Sequence, residues 1–249
     1  MGPRELGDLA NEIEILSSLR HPNLVLFLGA CTDPDGELIF LNEFCAGGNL
    51  EDLFAAKEAK RGPWRPPVKT ALNWCIDLAR ALCFLHNCNP CVIHRDVKPA
   101  NLLLSEDMHI KLSDFGISCL MVGTESGKPR PMTGNTGTKR YMAPEVFRCE
   151  PNYDAKVDIY SMAMIFWLIC MGTRPFGWLK PDEVAVRANS GTRPDLATIR
   201  TQAGTQLSSL IERCWAGDPQ LRPTAEAVVD ELDELRQKYL KKSKGCECM

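Results

Sequence analysis

The chain has 249 residues, 45% apolar and 24% charged, enough apolar material to fill one large domain or two lobes. A formal net charge of −3 leaves no broad basic surface and argues against nucleic acid as a partner. Met1–Asn11 carries charges where a secretory signal would be apolar, so the 12 cysteines are expected to be reduced thiols of a cytoplasmic protein.

Leu9, Ile13, Leu16 and Leu19 recur at helical spacing, and His21-Pro22-Asn23 ends that helix. Leu24–Gly29 reads as a strand, and the turn Asp33-Pro34-Asp35-Gly36 pairs it with a second strand over Glu37–Asn42. Gly47-Gly48 interrupts the chain, and Asn49 is a fitting N-cap for a short helix. After a Pro-rich loop, Val68–His86 reads as a long amphipathic helix with Leu72, Cys75, Leu78, Ala79 and Leu82 inward. Cys83, His86, Cys88, Cys91 and His94 invite a zinc reading, but a closed site needs four converging ligands, and a helix end with a tight Asn-Pro turn is the plainer reading. Val92–Gly116 reads as short strands and loops. Val122–Thr138, rich in Gly, Ser, Thr and Pro, has the composition of a mobile loop. Asp158–Met171 is nearly all apolar and, at about 14 residues, suits a buried helix better than a membrane span. Two further helices are expected near Thr205–Trp215 and Thr224–Tyr239.

The chemistry concentrates in His94-Arg95-Asp96-Val97-Lys98-Pro99-Ala100-Asn101, followed by Asp114-Phe115-Gly116 and by Ala143-Pro144-Glu145. Asp96 offers a carboxylate to a substrate hydroxyl. Asn101 and Asp114 offer hard oxygen ligands suited to Mg²⁺, and Lys98 offers a cation to a moving phosphoryl group. In identity, order and spacing these motifs resemble the signature of the protein kinase family, and the resemblance runs from about Glu5 to Tyr239.

That resemblance implies the two-lobed α+β kinase fold. Residues 1–45 would be a reduced small lobe of one helix, two strands and the hinge; 46–240 a complete, mainly helical large lobe; and 241–249 a basic tail. It implies ATP and Mg²⁺ as cofactors, a protein substrate, and a role in signalling. By family correspondence Asp96 is the base, Asn101 and Asp114 are the metal ligands, and Glu43-Phe44-Cys45 is the hinge that meets adenine. Leu103 lies under the adenine ring, and Asn42 gates the pocket behind it. Asp-x-Lys-Pro-x-Asn and Gly137-Thr138-Lys139-Arg140-Tyr141 look like the serine/threonine form, with Thr138 near Asp96 and Lys98. Arg95 would pair with a phosphate on the loop between Asp114 and Glu145, with Thr133 and Thr136 as candidate sites. Glu145 and Arg222 correspond to a buried ion pair, and Asp158 to the aspartate that holds the catalytic loop's backbone. Leu16, Phe27, His94 and Phe115 correspond to a stack between helix, sheet and loop. His21–Val25 with Leu28-Gly29-Ala30-Cys31 resembles the Raf-like, tyrosine-kinase-like group.

Glu12 matches the helix glutamate that pairs with a phosphate-binding lysine, yet neither a Val-Ala-Ile-Lys-like strand nor a Gly-rich phosphate loop occurs in the sequence. The expectation is a piece of a complete kinase that binds ATP weakly and transfers little by itself. The competing expectation is a catalytically silent interaction module. Cys246 begins a Cys-Glu-Cys-Met ending that fits a prenylation box imperfectly. With the lysines before it, that ending implies peripheral membrane contact if lipid is attached.

Overall fold

The structure, a computed structural model, describes residues 13, 17–34, 38–62, 64–114, 138–150 and 153–246. Strands β1 (Phe27–Thr32) and β2 (Leu38–Asn42) form an antiparallel hairpin with Ala30 opposite Phe40. The sequence places the first strand at Leu24, but the chain before Phe27 is engaged elsewhere. Val25 N donates to Leu112 O at 2.9 Å, Leu112 N to Asn23 O at 2.8 Å, and Asn23 Nδ2 to Ile110 O at 3.0 Å. Leu24 and Val25 are buried, so this segment ties the hairpin to the larger body instead of extending it.

Helix α1 (Leu50–Arg61) starts as its cap residue dictates: the Asn49 side chain accepts from Asp52 N at 2.8 Å, and Glu51 and Asp52 sit favourably in the first turn. Helix α2 (Val68–His86) matches the predicted span and is buried on more than one stripe, with Trp74, Cys75, Leu78, Ala79, Leu82 and Leu85 all closed to solvent. Strands β3 (Leu102–Leu104) and β4 (Ile110–Leu112) form a second hairpin. Leu102, Leu104, Ile110 and Leu112 point inward, while Leu103 and Lys111 sit on the other face.

The rest is helical: α3 (Pro144–Phe147), α4 (Lys156–Met171), α5 (Pro181–Asn189), α6 (Ala197–Gln202), α7 (Thr205–Cys214) and α8 (Ala225–Cys246). Helix α4 is buried all round from Val157 to Ile169, which explains why it shows no amphipathic stripe. Helices α2 and α7 pack on it, and α8 lies along α2, with Arg80 Nη2 bridging to Asp233 at 2.9 Å. Helices α5 and α6 are absent from the sequence reading. They are short and bury few side chains, Val184, Ala185 and Ala188 in α5 and Ile199 in α6, too few to show a period. Helix α8 runs past Tyr239 to Cys246, so part of the segment read as a tail continues the helix. No described helix is long and apolar enough to cross a membrane.

One buried ion pair crosses this body. Arg222, fully enclosed, meets Glu145 through Nη1–Oε1 at 2.5 Å and Nη2–Oε2 at 2.9 Å. Its remaining donors reach Ala216 O and Lys156 O, each at 2.9 Å, and its plane lies over Tyr160. This is the bidentate, fully hydrogen-bonded geometry in which a buried pair is tolerated.

Candidate active site

The segment between α2 and β3 carries the predicted site and has no regular structure of its own until the turn Pro99–Asn101. It is held from below by Asp158, in the first turn of α4. Asp158 Oδ1 accepts from Arg95 N at 2.7 Å, and Oδ2 accepts from His94 N and from His86 Nε2, both at 2.9 Å. Burial alone would raise the Asp158 carboxyl. The His86 hydrogen bond and charge and the His94 backbone N–H outweigh it and hold the carboxyl below its ordinary value. These bonds hold Arg95 at φ 67°, a left-handed conformation that costs an ordinary residue about 1–2 kcal/mol.

His94 is buried and fixed at both ring nitrogens: Nε2 donates to Ser113 O at 2.9 Å and Nδ1 accepts from Asp96 N at 3.3 Å. Both candidate zinc histidines are thus engaged, His86 by Asp158 and His94 by Ser113. Among the described residues no group of His, Cys, Asp and Glu is arranged to hold a metal by itself.

Around Asp96 the polar atoms converge. Lys98 Nζ donates to Asp96 Oδ2 at 2.7 Å. Asn101 Nδ2 donates to Asp96 O at 2.9 Å and to Oδ2 at 3.2 Å. Asp96 Oδ1 is buried and finds no partner among the described residues. A bare buried acceptor costs about 1–3 kcal/mol, and here it is the oxygen that a donor from outside would satisfy. Because Asn101 spends its NH₂ on Asp96, its amide oxygen is left to face a cation. Ser113 N and Oγ both bond Asn101 O, at 2.8 and 3.0 Å, which seats Asp114 beside Asn101. Asp114 is exposed and held at φ 60°. One carboxylate and one amide oxygen at adjoining positions, both hard donors, fit Mg²⁺.

The nucleotide-facing candidates come from the hairpin and β3. Gly47 N donates to Leu104 O at 3.0 Å and Leu104 N to Gly48 O at 2.8 Å, so the linker after β2 lies directly on β3. A Cβ on Gly47 would stand 2.6 Å from Leu104 Cβ, so only glycine permits that approach. Leu103 is half-buried on the opposite face from the core leucines. The Cys45 N–H donates to no described group, which leaves it open to an acceptor such as an adenine nitrogen. The Glu43 side chain points elsewhere: Oε1 accepts from Leu26 N and Lys111 Nζ, both at 2.7 Å, so only its backbone is placed for the base. Burial would raise the Glu43 carboxyl, but these two bonds lower it overall. Arg95 is also buried, lies 5.3 Å over the Tyr153 ring, and leaves Nε and Nη2 without partners among the described residues.

Phe27 and His94 of the expected stack are described, with Phe27 tilted against Phe40 at 6.0 Å. Glu12, Leu16, Phe115, Thr133 and Thr136 lie outside the described residues, as do the side chains of Thr138 and of Cys246, the last residue of α8. Sequence reasoning missed His86, weighed only as a metal ligand, and Arg140, whose guanidinium bonds Pro175 O, Phe176 O and Leu179 O at 2.6–2.8 Å. An arginine anchored on carbonyls leaves no opposite charge in the sequence to point at it.

The family model for the protein kinase domain matches residues 3–232. The chain belongs to the protein kinase family. Relatives of this kinase chain include the serine/threonine-protein kinase VIK of Arabidopsis thaliana, 40% identical over 233 residues, covering 92% of this chain and 51% of the relative. The serine/threonine-protein kinase STY17 of the same plant is 36% identical over 92% of this chain and 38% of its own length. The dual specificity protein kinase shkA of Dictyostelium discoideum is 35% identical over 93% of this chain and 42% of its own length. The kinase chain thus spans about half, or less, of these curated relatives.

Proposed function

We propose that this site transfers the terminal phosphoryl group of ATP to serine or threonine hydroxyls of a protein. One observation carries the reading: Asp96 Oδ2 is fixed by Lys98 and Asn101 while Oδ1 is buried and bare. A substrate hydroxyl donating to Oδ1 is oriented by a carboxylate that cannot turn away, and positioning is the larger part of phosphoryl transfer. Lys98, bonded to the same carboxylate, places a cation where charge moves during transfer. Asn101 Oδ1 and the Asp114 carboxylate would hold Mg²⁺, which neutralises phosphate charge when bound. The Cys45 N–H and Leu103 would meet the adenine.

The run His21–Val25 supports a place in the Raf-like group, and the names of VIK and STY17 support serine/threonine as the acceptor class. The bare Nε and Nη2 of Arg95 suit a phosphate on Thr133 or Thr136, since a guanidinium with two free donors binds phosphate in a fork.

The sequence holds neither a Gly-rich loop nor a strand lysine, so the test joins such a segment to residue 1 and measures transfer from ATP to a mixed Ser/Thr/Tyr peptide set by mass spectrometry. Phosphoserine and phosphothreonine are expected, falling about 100-fold or more in Asp96→Asn and several-fold in the Thr133→Ala/Thr136→Ala double variant. Transfer that is indifferent to Asp96→Asn, or confined to tyrosine, would overturn the reading.

A further inference from the structure

Ser113 follows β4 directly and stands immediately before Asp114. It is held from both sides. Its N–H and its hydroxyl both donate to Asn101 O, at 2.8 and 3.0 Å, and its own carbonyl accepts from His94 Nε2 at 2.9 Å. The circuit closes through the site: Asn101 Nδ2 donates to Asp96 O and Oδ2, and Asp96 N donates to His94 Nδ1 at 3.3 Å. His94, Asp96, Asn101 and Ser113 thus form one hydrogen-bonded ring.

Within that ring the two candidate metal ligands are fixed by different means. The Asn101 amide is oriented by its own NH₂ on Asp96. The Asp114 carboxylate is exposed and bonds none of the described residues, so its place follows from its backbone. That backbone sits at φ 60°, a conformation that an ordinary residue keeps only where its surroundings over-determine it. The residue before it supplies the constraint. A carbonyl oxygen has two lone pairs, and Asn101 O uses both on Ser113. Any residue except proline could make the N–H bond at this position, but the second bond exists only because a hydroxyl is there.

Resting on the kinase reading above, we infer that the Ser113 hydroxyl is a positioning group that sets the spacing of Asn101 Oδ1 and the Asp114 carboxylate, and so favours Mg²⁺ over Ca²⁺. Mg²⁺ demands near-ideal octahedral geometry at about 2.0–2.1 Å, whereas Ca²⁺ accepts oxygens at about 2.3–2.6 Å in looser arrangements. A ligand pair free to part slightly therefore loses Mg²⁺ first. A hydroxyl that only satisfied a carbonyl would add stability and treat both cations alike.

The test reads metal choice in binding, not turnover. ATP is titrated calorimetrically into the 249-residue chain at a series of Mg²⁺ or Ca²⁺ concentrations, to find the cation level that gives half the full ATP binding. In the natural protein less Mg²⁺ than Ca²⁺ should be needed. Ser113→Ala is expected to raise the Mg²⁺ requirement about 3–10-fold, the equivalent of one hydrogen bond, and the Ca²⁺ requirement less than about twofold. Ser113→Thr keeps the hydroxyl and should restore the natural preference. Ser113→Cys, close in size with a weaker donor, should fall between, and it carries the comparison if Ser113→Ala does not fold. Ser105→Ala removes a hydroxyl at the far end of the same hairpin, where it accepts from His109 N, and should change neither requirement. Equal shifts for both cations, no shift in Ser113→Ala, or no recovery in Ser113→Thr would overturn the proposal. If the natural chain binds ATP with neither cation, the kinase reading falls and this inference with it. If Mg²⁺ supports binding but Ser113→Ala shows no selective loss, this inference alone falls.

Discussion

Replacing Arg222 by alanine is expected to lower the unfolding free energy by about 3–5 kcal/mol, because it strands the Glu145 carboxylate in a site where that residue is 1% exposed. Native domains are stable by only about 5–15 kcal/mol, so the variant should unfold at a much lower urea concentration. Arg222→Lys should recover little of the loss. A single ammonium cannot reproduce the paired bonds to Glu145 together with those to Ala216 O and Lys156 O. The double variant Arg222→Met/Glu145→Leu, which removes both charges, should be more stable than Arg222→Ala alone. A cost under about 1 kcal/mol for Arg222→Ala would mean that water reaches the pair and that the α3–α4 region is packed differently.

The second large effect belongs to Asp158. Its two oxygens take three donors, and an asparagine would turn an NH₂ towards at least one of them, so Asp158→Asn is expected to cost about 2–4 kcal/mol at neutral pH. The cost should depend on pH in a defined sense. The native carboxyl is held below its ordinary value, so between the two values the unfolded chain binds the proton that the folded chain refuses. The stability contributed is complete above the unfolded pKa of about 4 and is lost as pH falls through the native one. Urea midpoints of the natural protein and Asp158→Asn, compared from pH 7 to pH 3, should therefore converge only below about pH 4. A gap that is constant across the range would remove the buried carboxylate from the account.

These two residues mark what the sequence could reveal. Asp158 and Arg222 were assigned by correspondence to the kinase family, and the geometry bears the assignments out, because the residues that hold the catalytic segment are fixed in both identity and order. Helix α2 was legible to the residue, since nineteen positions with inward Leu72, Cys75, Leu78 and Leu82 leave no competing period. Strand β1 was misplaced because an apolar run does not say which partner it pairs with, and Asn23–Val25 pairs with β4. Helix α5 escaped because its start signals, Pro181 with Asp182 and Glu183, also suit a turn, and only Val184, Ala185 and Ala188 face the core. In the site, the identities of Asp96, Lys98, Asn101 and Asp114 were readable, but the division of labour on Asp96, one oxygen bonded and one bare, is a three-dimensional fact. So is the diversion of the Glu43 carboxylate to Leu26 N and Lys111, which no spacing rule foretells.

The account rests on a carboxylate and an amide oxygen, at adjoining positions, that bring a divalent cation to a triphosphate. The most direct measurement is calorimetric titration of the 249-residue chain with millimolar ATP, with and without Mg²⁺, in the natural protein and in Asp114→Asn. Weak binding that requires Mg²⁺ and disappears in Asp114→Asn is the predicted result. Binding of equal strength without Mg²⁺, or binding untouched by Asp114→Asn, would contradict it.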